Sequence, residues 1–415
     1  MSMFRLAWKS LFNRRMTAAL TLTSIALSVT LLIGVEKMRQ DVRESFSSTI
    51  SGTDLIVGAR SGGVQLLLYS VFRIGNATNN ISWESYQDIA GHRDVAWTIP
   101  FSLGDSHRGY RVLGTTQDYF KHFRFSRDRG LEFDRGQAFM ELYDAVLGAE
   151  VAEALAYQLD EEIIIAHGAK DVSFARHDDK PFKVVGILER TGTPVDRTVH
   201  VSLAAIEAIH AGWESGAPPR GASVSAEQDL TPKAITAALL GLNSRISTFR
   251  VQRFVNDYAE EPLTAILPGV ALSELWGVIG IGENALLIIA AFVVVVSLFG
   301  MLTVILTSLN ERRREMAILR SVGARPGQIF VLIMGEATAL TLGGIVLGIG
   351  LLNGLLLIAQ PILEAKYGIH VALGGLSPKI LLLLGAVTVS GFVIGAVPSY
   401  RAYRMSLADG LSIRV

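Results

Sequence analysis

Four long stretches without a charged residue constrain the fold of this chain more than any other feature. They lie at 16–35, 284–310, 337–363 and 380–400, and each is 20 to 27 residues long. An α-helix rises about 1.5 Å per residue, so about 20 residues cross the hydrocarbon core of a bilayer. Residues 329–335 extend the third stretch beyond Glu336. The sequence therefore predicts four transmembrane helices, at 16–35, 284–310, 329–360 and 379–400.

Composition and charge exclude several other classes of protein. Of the 415 residues, 50% are hydrophobic and only 18% are charged, below the roughly 25% of average soluble domains. Lysine plus arginine and aspartate plus glutamate both number 38, so the basic excess typical of nucleic-acid-binding proteins is absent and no nucleic-acid partner is expected. The chain contains no cysteine, which excludes disulfides, cysteine-ligated metal centres and cysteine nucleophiles.

Lysine and arginine in the short flanking segments predict the orientation of the spans, because these residues are retained on the cytoplasmic side. Twelve fall on one side and two on the other: Arg5, Lys9, Arg14, Arg15, Arg312, Arg313, Arg314, Arg320, Arg325, Arg401, Arg404 and Arg414 against Lys366 and Lys379. We therefore expect a cytoplasmic amphipathic N-terminal helix at 1–15, a cytoplasmic coupling helix at 311–328 and a cytoplasmic tail at 401–415. Residues 36–283 and a short loop at 361–378 then lie outside.

The region at 36–283 reads as a mixed α/β domain with helical stalks at its two ends. We expect strands at 53–58, 110–114, 145–148, 182–188 and 200–202, and helices at 36–50, 82–90, 149–159, 203–211, 231–242 and 256–276. Ser82 is the expected N-cap of the helix at 82–90. The predicted fold class is an α-helical membrane protein with four transmembrane helices and a large mixed α/β extracytoplasmic domain between the first and second.

The loop between the second and third spans carries the most informative pattern in the sequence. Apolar Met316, Ile318, Leu319 and Val322 alternate there with charged residues, which predicts a short amphipathic helix. Gly323 stands at its end and Pro326 prevents its continuation. Two interpretations fit: a basic interfacial helix that only sets the topology, or a helix whose apolar stripe binds a cytoplasmic partner.

The same loop resembles a family signature. Residues 311–324 read Glu-Arg-Arg-Arg-Glu-Met-Ala-Ile-Leu-Arg-Ser-Val-Gly-Ala, which is similar to the E-R-x-R-E-I-x-I-L-R-A-x-G-A segment of MacB/FtsX-type ABC transporter permeases. Five other segments also resemble that family: residues 7–15, Gly335-Glu336-Ala337, residues 395–404, residues 112–120 and residues 145–148. So does the order of one span, a large outer domain and three spans.

The resemblance implies a transmembrane subunit of a type VII, mechanotransmission ABC system with LolC/E-like relatives, in the inner membrane of a bacterium. It implies two permease copies, as a homodimer or a heterodimer, and two copies of a cytoplasmic ATPase that binds ATP and Mg²⁺. This chain itself is expected to bind no cofactor. A periplasmic adaptor or substrate-binding protein and membrane lipid are further candidate partners.

The residues expected to couple this chain to the ATPase lie in the cytoplasmic helix: Glu311, Arg312, Arg314, Glu315, Met316, Ile318, Leu319 and Gly323. We expect Met316, Ile318 and Leu319 to pack into a groove of the ATPase, with Glu311, Arg312 and Glu315 at its rim.

Small residues and one acid stand out within the later spans. Glycines four residues apart permit close helix packing in lipid; the pairs are Gly344 and Gly348, Gly350 and Gly354, and Gly391 and Gly395. They fit packing within one chain, packing across a dimer, or simply the high glycine content of membrane helices. Glu336 lies inside the third span, where we expect it to form a structural hydrogen bond or salt bridge rather than carry protons.

No pattern for catalysis is present. The dipeptide Gly-Lys of a P-loop does not occur, and no H-E-x-x-H or G-x-S-x-G pattern is found. The glycines at 280–282 open an apolar helix and not a nucleotide-binding unit. His177, followed by two aspartates, is the nearest approach to a metal-ligand cluster. We therefore expect no catalytic, cofactor or metal residues in this chain.

The sequence thus favours a permease that couples a partner's ATP hydrolysis to movement of its outer domain, for export or extrusion of a substrate or for handling of lipoproteins. The alternatives are an FtsX-like regulator of cell-wall hydrolases and an ATP-independent, membrane-anchored sensor or binding module. The cytoplasmic helix argues against the second alternative.

Overall fold

The described residues of the chain fall into two units. The computed structural model describes residues 15–126, 128–167, 180–210, 229–367, 374–375 and 377–404. The membrane unit comprises Met1–Asp41, Gly280–Ile362 and Val371–Val415, and the α/β unit comprises Val42–Ile279 and Leu363–His370.

Helices form the apolar stretches, and short helices alternate with strands between the first two of them. In chain order the helices are α1 (Arg15–Ser48), α2 (Gly63–Ser70), α3 (Trp83–Ala90), α4 (Asp118–His122), α5 (Ala149–Leu155), α6 (Leu203–His210), α7 (Thr248–Asn256), α8 (Pro268–Glu311), α9 (Arg313–Ser321), α10 (Pro326–Tyr367) and α11 (Pro378–Arg404). The strands are β1 (Leu55–Ala59), β2 (Ile81–Ser82), β3 (Val95–His107), β4 (Tyr110–Thr115), β5 (Arg124–Phe125), β6 (Arg129–Gly130), β7 (Phe133–Gly136), β8 (Asp144–Leu147), β9 (Glu162–Ile163), β10 (Ala166–His167), β11 (Phe182–Leu188), β12 (Thr198–Ser202), β13 (Ala234–Ile235), β14 (Ala237–Leu242) and β15 (Leu263–Ile266).

Four of these helices are long and apolar enough to cross a membrane. The segments that meet this criterion within the described residues are Arg15–Glu44, Pro268–Leu309, Pro326–Gln360 and Pro378–Arg404. All four are longer than the charge-free stretches, because each helix continues into polar residues at one end or both. The expected fold class, with a mixed α/β domain between the first and second of four apolar helices, is confirmed.

The membrane unit is held together by an apolar core and by hydroxyl groups between helices. Its core includes Ile25, Val29, Leu298, Met301 and Ile333, each almost fully buried. Between α1 and α8, Ser24 Oγ donates to Ser297 Oγ at 3.2 Å, and Ser28 Oγ also contacts Ser297 Oγ. Thr30 Oγ1 on α1 donates to the carbonyl oxygen of Gly348 on α10 at 3.0 Å. Such bonds stabilise helix pairs in lipid by about 0.6 kcal/mol each.

The α/β unit is built on one main sheet, which β3 divides into two halves. The strand order is β15-β1-β14-β3-β4-β12-β8-β11-β7, with β10 beside β3 and β9 beside β11. β3 pairs with β14 through its first half and with β4 through its second half, and a register shift lies between Leu103 and Ser106. Most pairs are antiparallel, whereas β12 is parallel to β4 and β11 is parallel to β8. A continuous strand thus joins the two halves of the sheet.

Several expected elements of this unit are confirmed with small shifts in their ends. Strands occur near 53–58, 110–114, 145–148, 182–188 and 200–202. Ser82 does cap α3, because its Oγ accepts a hydrogen bond from Ser85 N at 3.3 Å. The helix expected at 149–159 ends at Leu155, because Ala156 adopts a left-handed conformation with φ of 55°.

The expected helix at 231–242 is wrong, since this segment forms strands β13 and β14. Its alanines and leucines favour a helix by intrinsic propensity. However, residues 237–241 are all buried in the centre of the sheet, between β1 and β3. A segment with apolar side chains on both faces is compatible with a central strand as well as with a helix, and tertiary packing determines which of the two forms. Gly241 is required there, because a Cβ would stand 2.1 Å from the ring of Trp97.

The expected second stalk helix at 256–276 is also only partly correct. Residues 248–256 form α7 and residues 263–266 form β15, the edge strand beside β1. The long helix α8 begins only at Pro268, whose missing N–H suits a first helical position. By contrast, the first stalk follows the expectation, because α1 continues from the first span to Ser48.

Candidate coupling site

Helix α9 lies in the loop between the second and third spans, where the sequence predicts an amphipathic helix. It covers Arg313–Ser321 and is followed by Gly323, which has a φ of 101°. This left-handed conformation favours glycine and ends the helix. Pro326 then begins α10. The local sequence therefore places a short, sharply bounded helix between two spans.

One face of α9 is buried within this chain. Met316 and Ala317 are each only 4% exposed, and Met316 belongs to the same apolar core as Ile305, Leu309 and Ile329 of the adjoining helices. Leu319 packs against this core and is partly buried. The expectation that Met316 fills a groove of another protein is therefore wrong, since its side chain is already enclosed by its own chain.

A buried ion pair anchors the start of α9 to α10. Arg312 is 5% exposed; its Nη1 donates to Glu336 Oε2 at 3.2 Å and its Nε donates to Glu315 Oε2 at 3.0 Å. Glu336 therefore forms a salt bridge, as its position inside the span suggests. Arg312 therefore joins α9 to α10 within this chain and, contrary to the expectation, it does not lie at the exposed rim of a contact with the ATPase. A guanidinium buried among apolar side chains needs such partners, because an unpaired charge there is strongly unfavourable.

The opposite face of α9 is exposed. Arg314, Ile318 and Val322 follow one another at intervals of four residues, and Ile318 and Val322 are 60% and 82% exposed. Glu315 exposes 65% of its side chain although it contacts Arg312. Glu311 is exposed as well. The exposed face of α9, which we define as Arg314, Ile318 and Val322, is therefore a narrow strip with one basic and two apolar residues.

A second charged cluster lies at the other end of the spans and is not singled out by the sequence. Glu36 on α1 is 0% exposed and accepts from Arg39 at 3.0 Å and from Gln40 at 2.7 Å. Lys379 at the start of α11 approaches its other oxygen at 3.2 Å, and Arg39 reaches Glu283 on α8 at 3.8 Å. The only signal in the sequence is a charge directly after an apolar run, which does not reveal its partners.

The glycine pairs of the spans divide into two kinds. A Cβ at Gly344 would stand 2.5 Å from the Ile25 side chain, and a Cβ at Gly348 would stand 2.8 Å from the Ala26 carbonyl oxygen. Helix α10 therefore packs closely on α1. Gly391 and Gly395 of α11 contact α10 in the same way. A Cβ at Gly350 or Gly354 would meet no atom of another described element within 4 Å. These two glycines line an open apolar groove of about 850 Å³ on α10, so their expected packing against another helix is not seen in this chain.

Two buried histidines of the α/β unit, His107 and His200, have structural environments. Nδ1 of His107 donates to the Ile164 carbonyl oxygen at 2.6 Å, and its Nε2 accepts from the Tyr157 hydroxyl at 3.0 Å. Burial lowers the pKa of His200 to about 3, so this side chain is neutral. Among the described residues no group of three histidine, aspartate or glutamate side chains could hold a metal ion. The cluster beginning at His177 lies outside the described residues.

The arrangement of four apolar helices, an inserted α/β domain and a short helix between the second and third spans defines a polytopic membrane protein. The model of the MacB-like periplasmic core domain matches residues 18–242, and the model of the FtsX-like permease C-terminal region matches residues 287–407. Because the first alone covers more than half of the sequence, the chain belongs to the MacB/FtsX family of ABC transporter permeases, whose members are bacterial inner-membrane proteins.

Individual relatives agree with this assignment over part of the chain. The macrolide export ATP-binding/permease protein MacB of Escherichia coli (strain K12) is 34% identical over 128 residues, 31% of this chain and 19% of that protein. The protein of the same name from Chromobacterium violaceum is 27% identical over 146 residues, 34% of this chain and 22% of that protein. The matched segments thus span about a fifth of the length of these curated relatives.

A solved structure of a related region shows weaker similarity. The crystal structure of the periplasmic region of MacB from Actinobacillus actinomycetemcomitans superimposes with a TM-score of 0.34 at 10% identity. The match covers 55% of this chain and 94% of that structure.

Proposed function

We propose that this chain is the membrane subunit of an ABC transporter whose ATPase is a separate protein that binds the exposed face of α9. The observation that carries the proposal is the division of α9 into two faces. Met316 and Arg312 fix the helix to its own spans, while Ile318 and Val322 remain exposed. Exposed apolar side chains on a helix that is otherwise anchored are typical of a docking surface.

In this proposal the buried Arg312–Glu336 pair holds α9 rigidly to its own spans. ATP and Mg²⁺ bind to the ATPase, and this chain holds no cofactor. When two ATPase subunits close on ATP, they move two permease copies through α9. The Arg312–Glu336 pair passes the displacement to α10, since the two charges separate only at high cost. The apolar core around Met316 passes it to the neighbouring spans.

Two long helices then relay the movement along the chain. α1 runs from Arg15 to Ser48 and α8 from Pro268 to Glu311, each without a break. Both helices include residues of the membrane unit and of the α/β unit. A continuous helix transmits displacement along its axis better than a flexible linker does. The work is thus done outside the membrane, by mechanotransmission.

The cargo class that we propose is a molecule handled in the bacterial envelope, by export, extrusion or lipoprotein transfer. The names of the relatives, macrolide export proteins, support the export branch. An ATP-independent sensor is less well supported, because it does not account for an anchored helix with an exposed apolar face. Regulation of cell-wall hydrolases is less well supported, because the named relatives are export proteins. A periplasmic adaptor or substrate-binding protein completes the proposed assembly.

Co-purification of the ATPase with variants of the exposed face tests this proposal. We expect an ABC ATPase to co-purify with the tagged wild-type chain from native membranes. Ile318→Asp should abolish its recovery, because a carboxylate would be desolvated in the contact at a cost of several kcal/mol. Ile318→Leu is the matched control and should retain the ATPase. Recovery unchanged in Ile318→Asp, or no ABC ATPase with the wild type, would refute the proposal.

A further inference from the structure

Helix α7 in the α/β unit exposes an unusual number of large apolar side chains. Thr248, Val251 and Val255 are buried on its inner face. On the outer side, Ile246 just before the helix is 88% exposed, Phe249 is 71% exposed and Phe254 is 36% exposed. Isolated exposed apolar residues need no explanation, but three on one short surface mark an interaction site.

Phe249 and Phe254 border a groove beside α3. The groove has a volume of about 810 Å³, and its walls include Phe249, Phe254 and Tyr258. The Tyr258 hydroxyl donates to Asp88 on α3 at 2.6 Å, and Phe254 packs on His92 and on Tyr258 with ring centroids 4.8 and 6.0 Å apart. Phe254 and Tyr258 are therefore held in place by contacts within the unit, and they lose little side-chain freedom on binding.

Opposite charges are separated along the same surface. Arg245, Arg250 and Arg253 lie toward its beginning, and Asp257 and Glu260 lie at its end. Arg250 pairs with Asp94 at 3.5 Å. Within the described residues, Arg253, Asp257 and Glu260 form no ion pair. The surface therefore presents a basic end, an aromatic centre and an acidic end, with charges free for a partner.

We propose that this α7 face, defined as Ile246, Phe249, Arg253, Phe254 and Asp257, binds the same face of a second copy of the chain. A two-fold axis through its centre sets the basic end of each copy against the acidic end of the other, and brings the aromatic centres together. A partner of one predominant charge would be repelled at one of the two ends. Aromatic and arginine side chains are also the usual centres of binding energy in such contacts.

This inference rests on the proposed function, because it names the surface through which the two proposed permease copies meet outside the membrane. The inference and the proposed function can nevertheless be tested separately. The α7 face and the exposed face of α9 share no residue, so contact between copies and recovery of the ATPase are independent measurements.

Cross-linking in the naturally cysteine-free chain tests the contact. Phe254→Cys, near the centre of the face, should form a covalent dimer with a short bismaleimide in native membranes. Met140→Cys is the matched control, because Met140 is apolar and 75% exposed but lies outside the α7 face. We expect a dimer only for Phe254→Cys. Equal cross-linking of both variants, or cross-linking of Phe254→Cys to a different protein, would overturn the proposal.

A charge exchange identifies the antiparallel arrangement. In the Phe254→Cys chain, Arg253→Glu would face Asp257 of the other copy, and juxtaposed acids should reduce the cross-linked fraction by about tenfold. Adding Asp257→Arg should restore it, because opposite charges meet again. Both positions are exposed, so folding is not at risk. Failure of the second change to restore cross-linking would contradict the arrangement, whereas loss of the ATPase from the wild type would instead contradict the proposed function.

Discussion

Arg312 places a full positive charge against the ends of spans that are otherwise apolar, and this residue explains why α9 has a fixed position. Its guanidinium is fork-shaped and reaches two carboxylates at once, Glu336 on α10 and Glu315 on α9. A lysine has a single ammonium group and would not supply this geometry. The pair with Glu336 is enclosed, because the side chains are 5% and 13% exposed. The pair with Glu315 is open to solvent on one side.

The two pairs should therefore differ in their contribution to stability. We expect Glu336→Gln to lower the free energy of unfolding by about 3 kcal/mol, because it leaves a buried guanidinium without its enclosed partner. Glu315→Gln should cost less than about 1 kcal/mol, as for an exposed ion pair. Thermal unfolding of the purified chain in detergent measures both. Equal effects of the two variants would contradict the assignment of Glu336 as the anchor.

The sequence predicts the presence of a partner for Glu336 but not its identity. The partner lies 24 positions away, across the turn that Gly323 and Pro326 make. The expectation that Met316 packs against another protein is wrong for a related reason. An amphipathic helix beside a membrane can bury its apolar residues against its own spans or against another protein, and periodicity is the same in both cases. Met316 and Ile318 are two positions apart and so point to different sides.

At the scale of helices, the packing of α10 on α1 depends on glycine backbone. The Gly348 carbonyl oxygen accepts from Thr30, and the space above its Cα is filled by Ala26 and Val29. Gly350, only two residues further along the helix, has open space above it. The sequence presents both as members of glycine pairs at helical spacing, and only the position of α1 distinguishes them.

This difference gives a matched pair of variants. Gly348→Ala should lower the unfolding temperature in detergent, because the new Cβ would stand 2.8 Å from the Ala26 carbonyl oxygen and force the helices apart. Gly350→Ala should leave it unchanged or raise it, since alanine stabilises a helix over glycine by about 0.5–1 kcal/mol. If Gly348→Ala were as stable as Gly350→Ala, α10 would not pack on α1 as described.

The strands of the α/β unit show what patterns along the chain can and cannot provide. β11 alternates partly between apolar and polar residues, and its predicted limits are correct. β14 reads Ala-Ala-Leu-Leu-Gly-Leu and carries no period of two, because a central strand buries both faces. The long helix α8 is similarly recognisable over its apolar part, whereas its start at Pro268 depends on where β15 pairs at the sheet edge.

At the scale of the whole molecule, the charge distribution predicts that the α/β unit and α9 lie on opposite sides of the membrane. Met140 is 75% exposed on the α/β unit, and Ser321 is exposed at the end of α9. Ser106, although it lies in the predicted outer domain, is 5% exposed and unsuitable for labelling.

Cysteine labelling tests this orientation in the naturally cysteine-free chain. Met140→Cys should react with an impermeant maleimide in cells whose outer membrane is permeable to it. Ser321→Cys should react only after lysis. The reverse pattern would refute the orientation, and it would also move the exposed face of α9 away from any cytoplasmic ATPase.

In the proposed mechanism, ATP-driven movement at α9 reaches the α/β unit through the unbroken helices α1 and α8. Val278 tests it best, because this residue is 70% exposed and lies ten positions into α8. Leu272 is less suitable, since it is buried in the core of the α/β unit. A proline at Val278 would remove a helical hydrogen bond and bend the helix, at a cost of about 3 kcal/mol or more.

The most direct measurement is the distance between spin labels at Met140→Cys in the two copies of the purified complex, with and without ATP. We expect the distance to change on ATP binding in the parent chain and in the control Val278→Ala. In Val278→Pro the distance should stay constant while ATP hydrolysis continues. A parent complex that hydrolyses ATP with no change in this distance, or a full change in Val278→Pro, would contradict transmission through α8.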